Sequence, residues 1–470
     1  MNPQDIRQRE IPAALLSELR ALLGDRLSTV RAVREHHGRD ESHFPPMPPD
    51  AVIFPRSTEE VAKAAKICFE QRVPMIAFGA GSSVEGHVLA ARGGVCFDLT
   101  QMNRVIEVNA EDLLCVVEPG VTRKALDAHL RGSGLFFPPD PGADATLGGM
   151  TATRASGTNA VRYGTMKDNV LALAVVLADG SVIRTGTRAR KSSAGYDLTR
   201  LFVGSEGTLG FVTQITLRLF PQPQVVSAAT CCFPAVRDAV DCVIRIMQAS
   251  VPIARCELLD AATVRSINAY SKLALPEAPM LFFEFHGSDA SVREQIGEVQ
   301  AIASEHGGAG FEWASTPEER NRLWTARHNA YFACLALRPN CRVYSTDACV
   351  PLSRLAQCIA AAEADIERAG LPTVLLGHVG DGNFHLGINF DPSSADECAR
   401  AEALYRNVAL RAIEAGGTST GEHGIGYSKK EFLLAEHGEA VATMRAIKRA
   451  LDPHNLMNPG KLLPEAEPTA

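Results

Sequence analysis

The sequence predicts an α+β chain of more than one domain, and three observations point there. At 470 residues it is too long for one ordinary core and fits two or three domains. Residues 50–220 alternate short strand-like runs with helices and many glycines. Past the punctuation Pro221-Gln222-Pro223-Gln224, long helical patterns alternate with strands of a mostly antiparallel kind as far as about residue 414. The expected division is an N-terminal helical segment and linker over 1–49, a first domain over 50–221, a second over 222–415, and a C-terminal segment over 416–470 that returns to the first.

In chain order, the stretch from Pro45 to Pro49 is too proline-rich to be regular. Ser57 with Glu60 forms a capping box that opens an Ala-rich helix to about Gln71. Pro74–Phe78, Val95–Leu99, Leu114–Glu118, Leu171–Ala178 and Phe211–Leu219 are apolar, bounded runs and read as strands, with a helix over Thr122–Leu130 among them. In the second domain Val236, Val240, Val243, Ile244 and Met247 keep helical spacing. Ile253–Leu258, Met280–His286, Thr373–His378 and His385–Phe390 read as its strands. The tail turns helical from about Glu439, and its last seven residues read as irregular.

Composition narrows the function. Apolar content of 46%, charged content of 21% and a mean hydropathy of −0.01 are those of a soluble globular protein. A net charge of −7 without a long basic run argues against a nucleic-acid partner. Met1 to Arg20 mixes Asp5, Glu10 and Glu18 with basic residues, which is neither a secretory signal nor a transit peptide. No run is long enough to span a bilayer, so the expected location is the cytoplasm. Peripheral membrane contact and a homodimer stay open. Twelve scattered cysteines without a CxxC pair read as buried thiols in a reducing compartment.

Two features carry chemistry. Gly79-Ala80-Gly81-Ser82-Ser83 follows a strand, but Val84 stands where a dinucleotide fingerprint needs its third glycine, and no Gly-Lys-Ser/Thr follows. What remains is a loop whose backbone N–H groups can wrap an anion such as a diphosphate, or an ordinary turn. The second feature is His378-Val379-Gly380-Asp381-Gly382-Asn383-Phe384-His385. Asp381-Gly382 predicts a two-residue hairpin turn, which would set His378 directly opposite His385 on one face. Imidazoles so placed either share a metal ion or hydrogen-bond at a strand end. Downstream, Gly421-Glu422-His423-Gly424-Ile425-Gly426 offers a carboxylate and a third imidazole. Two histidines and one carboxylate with open positions suit Zn²⁺ or Mn²⁺ acting as a Lewis acid.

The glycine-rich segments of the first domain, in their order, resemble the FAD-binding domain of the vanillyl-alcohol oxidase family, the para-cresol methylhydroxylase fold. The resemblance implies a two-subdomain FAD-binding domain plus a ferredoxin-like α+β substrate (cap) domain with an antiparallel sheet. It would place FAD along Gly79, Ala80, Gly81, Ser82 and Ser83, then Pro119 and Gly120, then Asp140, Pro141, Thr146, Gly148 and Gly149. Ser156, Gly157, Asn159, Ala160, Tyr163 and Gly164 would follow, with Glu206, Gly207, Gly210 and Val212 on the adenine side and Asn458 closing the flavin site. Some members tether flavin through a histidine in the first glycine loop. This loop has none and His87 lies beyond it, so non-covalent FAD is expected. Arg154 stands where some relatives carry glycine.

The pairing of His-x6-His with Glu-His-Gly-Ile-Gly resembles the flavin dehydrogenases of D-2-hydroxy acids. That resemblance assigns the metal to His378, His385 and Glu422, the hydroxyl proton to His423, and the substrate carboxylate to Arg327 of Trp324-Thr325-Ala326-Arg327, with Trp324 and Asn383 beside it. Ser345 takes the place of a lysine found in the 2-hydroxyglutarate members. Ser345-Thr346-Asp347-Ala348-Cys349-Val350-Pro351, His37-Gly38-Arg39-Asp40-Glu41-Ser42 and Leu456-Met457-Asn458-Pro459-Gly460-Lys461 look like the cytochrome-type D-lactate dehydrogenases, across roughly residues 35–463. Some relatives carry a mitochondrial presequence, whereas this chain begins close to its first helix, as a bacterial cytosolic form would. The implied partners are a small 2-hydroxy acid and an electron acceptor such as a cytochrome or a quinone. A glycolate oxidase FAD subunit and a D-2-hydroxyglutarate dehydrogenase are the alternatives among enzymes. A flavin-binding subunit without turnover and a flavin-free metallohydrolase are those of other classes.

Overall fold

Ser57 caps the helix Thr58–Glu70 in the computed structural model of this chain, which describes residues 11–314 and 316–465. Only half of the expected capping box forms. Ser57 Oγ accepts from Glu60 N–H, but the Glu60 carboxylate turns instead to the Arg26 guanidinium at 2.6 Å and to Arg56 N–H at 2.8 Å. A charged donor outcompetes the reciprocal backbone contact. The first ten residues and the last five, part of the tail read as irregular, lie outside the described residues.

The chain divides into two compact units. The first comprises residues 1–156, 165–222 and 422–470. Here Ala51–Ile53, Val95–Asp98 and Met75–Phe78 form a parallel sheet in that order, extended by the antiparallel Leu27–Ser28. Its strands are apolar on both faces, as parallel strands under helices must be. Helices Ala13–Leu23 and Thr58–Glu70 send Leu15, Leu19, Val61 and Ala64 into the core beside it. Phe97 stacks on Phe211 there with ring centroids 4.4 Å apart, and each buried ring of that size stabilises by about 1.5–3 kcal/mol.

Five antiparallel strands follow in the order Val105–Asn109, Leu114–Val117, Phe211–Arg218, Val170–Val176, Val182–Arg184. Helix Arg123–His129 packs Leu126 against this second core. The expected strands and helices of this region are therefore present, with ends shifted by one or two residues; Leu171–Ala178 becomes Val170–Val176 and the others are shorter.

The C-terminal return is held by one buried cation. Lys448, near the end of helix Ala440–Leu451, donates to Thr208 O at 2.7 Å, Met457 O at 2.8 Å and Asp452 Oδ2 at 2.5 Å. Asp452 also accepts from the N–H groups of Leu456 and Met457, so that Met457 lies alongside Met75 as a short parallel extension of the sheet. Asp452→Ala leaves Lys448 buried without its counter-charge and should cost about 3–5 kcal/mol. Chemical denaturation of the variant measures this loss.

The second unit comprises residues 157–164 and 223–421. The break at Gln222 lies one residue from the expected boundary, but Gly157–Gly164, read from sequence as part of the first domain, belongs to the second unit, as do residues 416–421. The unit is built on a sheet ordered Ala309–Ala314, Val225–Cys232, Met280–Gly287, Ile253–Leu259, Thr373–Gly377, Asn383–Phe390, Arg342–Ser345, every pair antiparallel. Leu281, Phe283 and Phe285 enter a core shared with helices Val236–Gln248, Asp289–Glu305, Leu352–Ala369 and Ala395–Glu414. Their alternates Met280 and Phe282 enter a second core with helices Ala261–Ser271, Pro317–His328 and Ala330–Ala336. Helices thus cover both faces, which explains why the strand Met280–Gly287 is buried along nearly its whole length rather than on alternate residues. Among the described residues no helix is long and apolar enough to cross a membrane.

Candidate active site

Strands Thr373–Gly377 and Asn383–Phe390 pair Leu375 with Leu386 and Leu376 with His385. His378 consequently lies across from Asn383, whose N–H donates to the His378 carbonyl at 3.3 Å. The expected two-residue turn on Asp381-Gly382, with His378 opposite His385, is therefore not the one formed. A short 3-10 turn over Val379–Asp381, closed by Gly382 at φ +79°, takes its place. Packing decides the difference. Val379 and Gly380 are buried, and a Cβ on Gly380 would lie 2.8 Å from a Val161 methyl. A Cβ on Gly382 would lie 2.1 Å from Val350 O. The register slips by two residues rather than one, so positions 378, 383 and 385 keep a common face. The two imidazole rings stand 5.4 Å apart, centroid to centroid, at 83°.

Each ring is fixed through its Nδ1. His385 Nδ1 lies 3.0 Å from Thr346 O; a carbonyl only accepts, so this nitrogen carries the proton and the ring's lone pair sits on Nε2. His378 Nδ1 lies 2.7 Å from Glu257 Oε1. A carbonyl or carboxylate behind each imidazole is the arrangement that orients metal-binding histidines and raises their basicity, so the donor set fits a divalent ion. Burial pushes the Glu257 carboxyl up, but the charges and hydrogen bonds of His378 and Arg327 outweigh it and leave the group below the usual carboxylate range.

The other expected substrate residues gather in the same unit. Arg327 is buried, with Nη2 2.8 Å and Nε 3.0 Å from Glu257 Oε2. Trp324, one helical turn earlier, packs with Phe282 in the core and lies under the Arg255 guanidinium at 4.6 Å, while its buried indole N–H meets no protein acceptor among the described residues. Asn383 Nδ2 donates to Asp347 Oδ1 and to Ala348 O, both at 3.0 Å, and its buried Oδ1 meets no protein donor among them. Asp347 also accepts from Thr420 Oγ1 at 2.7 Å, and its carbonyl accepts from Gly421 N–H at 2.9 Å.

In the first unit the expected cofactor segments converge. A Cβ on Gly79 would sit 2.3 Å from Thr146 Oγ1, and one on Gly148 2.6 Å from Pro119 Cβ. The loop Gly79–Ser83 therefore lies against the Thr146 side chain, and the turn at Pro119-Gly120 meets the start of helix Leu147–Thr153 backbone to backbone, Gly148 N–H donating to Pro119 O at 2.8 Å, with Thr146 capping that helix through Gly149 N–H. Small residues and loop N–H groups set this close together fit a diphosphate. Asp140 is buried; Gly210 lies against Val175 and Val176; Val212 is buried in the strand Phe211–Arg218. Asn458 Nδ2 donates to Glu206 O at 2.8 Å and His87 O at 3.2 Å. Arg154 adopts φ +59°, a conformation that favours glycine, and its guanidinium donates to Val203 O at 3.1 Å.

Two of these residues have work that the sequence did not announce. The Glu206 carboxylate accepts from the N–H groups of Ile425 and Gly426 at 2.7 and 2.8 Å and faces His87 Nε2 at 3.2 Å, so it clasps the Glu-His-Gly-Ile-Gly loop. Ser156 Oγ donates to Glu422 Oε2 at 2.7 Å. In that loop His423 Nδ1 lies 3.5 Å from Glu85 Oε1, which pairs with the fully buried Lys429 at 2.8 Å. The remaining expected cofactor residues fall in the second unit. There Asn159 Oδ1 accepts from Arg255 Nε at 2.9 Å, and Tyr163 OH meets His286 Nδ1 at 2.7 Å. Gly157 and Gly164 have positive φ on either side of Ala160, which begins a single helical turn.

Residues 49–186 match the FAD binding domain model, and residues 222–462 match the C-terminal domain of FAD linked oxidases. The chain belongs to the FAD-linked oxidase family. A probable mitochondrial D-lactate dehydrogenase of Danio rerio is 52% identical over 96% of this chain and 91% of its own. A mitochondrial D-lactate dehydrogenase [cytochrome] of Arabidopsis thaliana is 48% identical over 97% and 81%. Among solved structures, p-cresol methylhydroxylase with substrate bound shares the fold at a TM-score of 0.79 and 19% identity, over 95% of this chain and 96% of that one. This FAD-linked oxidase is thus an FAD protein of the para-cresol methylhydroxylase fold, with an α+β second domain on an antiparallel sheet.

Glu257, Asp347, Glu85 and Lys429 of this FAD-linked oxidase were not singled out from sequence. For Glu257 a signal existed, a lone acid inside the otherwise buried strand Ile253–Leu259. The other three sit in loops or beside glycine-rich turns, where a charged residue is unremarkable until its partners are known.

Proposed function

We propose that this chain oxidises D-lactate, or a small D-2-hydroxy acid like it, to the 2-oxo acid and passes the electrons to a cytochrome or a quinone. The observation that carries this is the near-full-length identity of about one half with relatives named D-lactate dehydrogenase. When bound, non-covalent FAD supplies the hydride acceptor, and Zn²⁺ or Mn²⁺ on His378, His385 and Glu422 supplies a Lewis acid. Arg327 binds the substrate carboxylate, for which a guanidinium offers paired donors. Trp324 N–H and Asn383 Oδ1, both buried and without protein partners among the described residues, supply a donor and an acceptor for a polar ligand. His423 takes the hydroxyl proton, its ring held by the clasped loop and by Glu85. Ser345, opposite Gly387 in the sheet, offers no cation to a second carboxylate, which favours a small acid over 2-hydroxyglutarate. The reading includes a cytoplasmic location, which cell fractionation checks.

Anaerobic titration of the yellow protein tests this reading. D-lactate should bleach the flavin, L-lactate should not, and D-2-hydroxyglutarate should do so poorly. Prior chelation should slow bleaching by D-lactate. No bleaching by any 2-hydroxy acid would sink the proposal. Bleaching indifferent to chelation would remove the metal from it, and a preference for glycolate would make the chain a glycolate oxidase FAD subunit.

A further inference from the structure

Glu257 is completely buried in the middle of the strand Ile253–Leu259, where its register partner is Phe282 and its neighbours Leu258 and Leu259 serve two apolar cores. Nothing in the sheet asks for a carboxylate at that position, and a desolvated one is costly unless paired. Its alternation places it on the face of Leu259, toward the core that contains Trp324. From there it reaches two partners at once. Oε1 and Oε2 lie 2.7 and 2.9 Å from His378 Nδ1, and Oε2 lies 2.8 and 3.0 Å from Nη2 and Nε of Arg327.

We propose that Glu257 is the positioning residue that ties His378 to Arg327, so that one buried carboxylate sets both metal affinity and the binding of the substrate carboxylate. The inference rests on the metal and substrate roles proposed above. A carboxylate behind Nδ1 fixes the ring plane of His378 and strengthens its ligand nitrogen. The same carboxylate occupies the Nε–Nη2 side of Arg327, so a substrate carboxylate meets the guanidinium at its Nη end, in an orientation the side chain could not hold alone.

The test is Glu257→Gln in the full-length FAD protein, with metal affinity read by competition against a chromogenic zinc chelator, and with KM and kcat for D-lactate. Zinc should bind about 10–100-fold more weakly and KM should rise, while FAD content stays at the wild-type value. Wild-type zinc affinity and KM in folded E257Q would overturn the inference, because a merely structural role lowers the melting temperature without moving either. Should E257Q fail to fold, Arg327→Gln reads the same bridge. Arg327 is no metal ligand, yet its removal commits Glu257 to His378 alone and should tighten zinc several-fold; unchanged affinity overturns the bridge. A wild-type protein that binds no zinc or manganese instead removes the functional reading's metal.

Discussion

Replacing His423 by alanine should slow flavin reduction by D-lactate about 10²–10⁴-fold, the usual contribution of a positioned general base, while FAD content stays unchanged. The imidazole belongs to a loop whose place is set from both ends. Glu206 holds Ile425 and Gly426 by their N–H groups, and Ser156 holds Glu422. None of these contacts uses the His423 side chain, so its loss leaves the loop's backbone anchors intact. Burial pushes the neighbouring Glu85 carboxyl up, but Lys429 and His423 hold it below the usual range, which keeps a negative charge 3.5 Å from the ring. Stopped-flow reduction under anaerobic conditions gives the rate constant directly. A rate within a few-fold of wild type would show that another group takes the proton.

His385→Ala is the second large effect. Here one of the proposed metal ligands disappears, so bound metal should fall by more than the roughly 10–100-fold that loss of an outer partner costs. Elemental analysis of the purified protein reads metal per flavin, and the flavin spectrum shows whether the FAD domain is intact. His385 is 7% exposed with Nδ1 on Thr346 O, so alanine also frees one carbonyl acceptor, a cost of about 1–3 kcal/mol. That is too small to unfold a chain of this size by itself. Full metal content in the variant would exclude His385 as a ligand.

The two variants separate the halves of the chemistry that the chain keeps in different stretches of sequence. His423→Ala should leave metal in place, and His385→Ala should leave the base in place. If both lose metal and FAD together, the loop and the sheet are structural parts of one fold rather than carriers of distinct steps.

Local signals in the sequence were sufficient for most elements. Ser57, Thr122 and Thr146 lie where short polar side chains cap helices, and the runs at 114–117, 211–218 and 280–287 needed only their apolar, β-branched and aromatic residues. The glycine segments around 79, 120 and 148 were legible because close approach tolerates no other residue, and that around 207 because its φ of +69° favours glycine; those requirements survive in the order of the segments. Where sequence reasoning failed, a distant contact overruled a local preference. Asp381-Gly382 favours a two-residue turn, yet Val161 and Val350, remote in sequence, pack so closely on Gly380 and Gly382 that a longer turn forms.

What the sequence determined by itself is the chemistry available: two histidines a strand-length apart, a Glu-His pair in a glycine loop, an arginine near a tryptophan, and an FAD domain written in small residues. The tertiary structure alone decided how those groups are held. Glu257 stands 70 residues from Arg327 and 121 from His378, and Glu206 stands 219 residues from Ile425. Periodicity and motif spacing report on neighbours along the chain. A buried carboxylate finds its partners through the fold, because only there does desolvation make an unpaired charge too costly to leave alone.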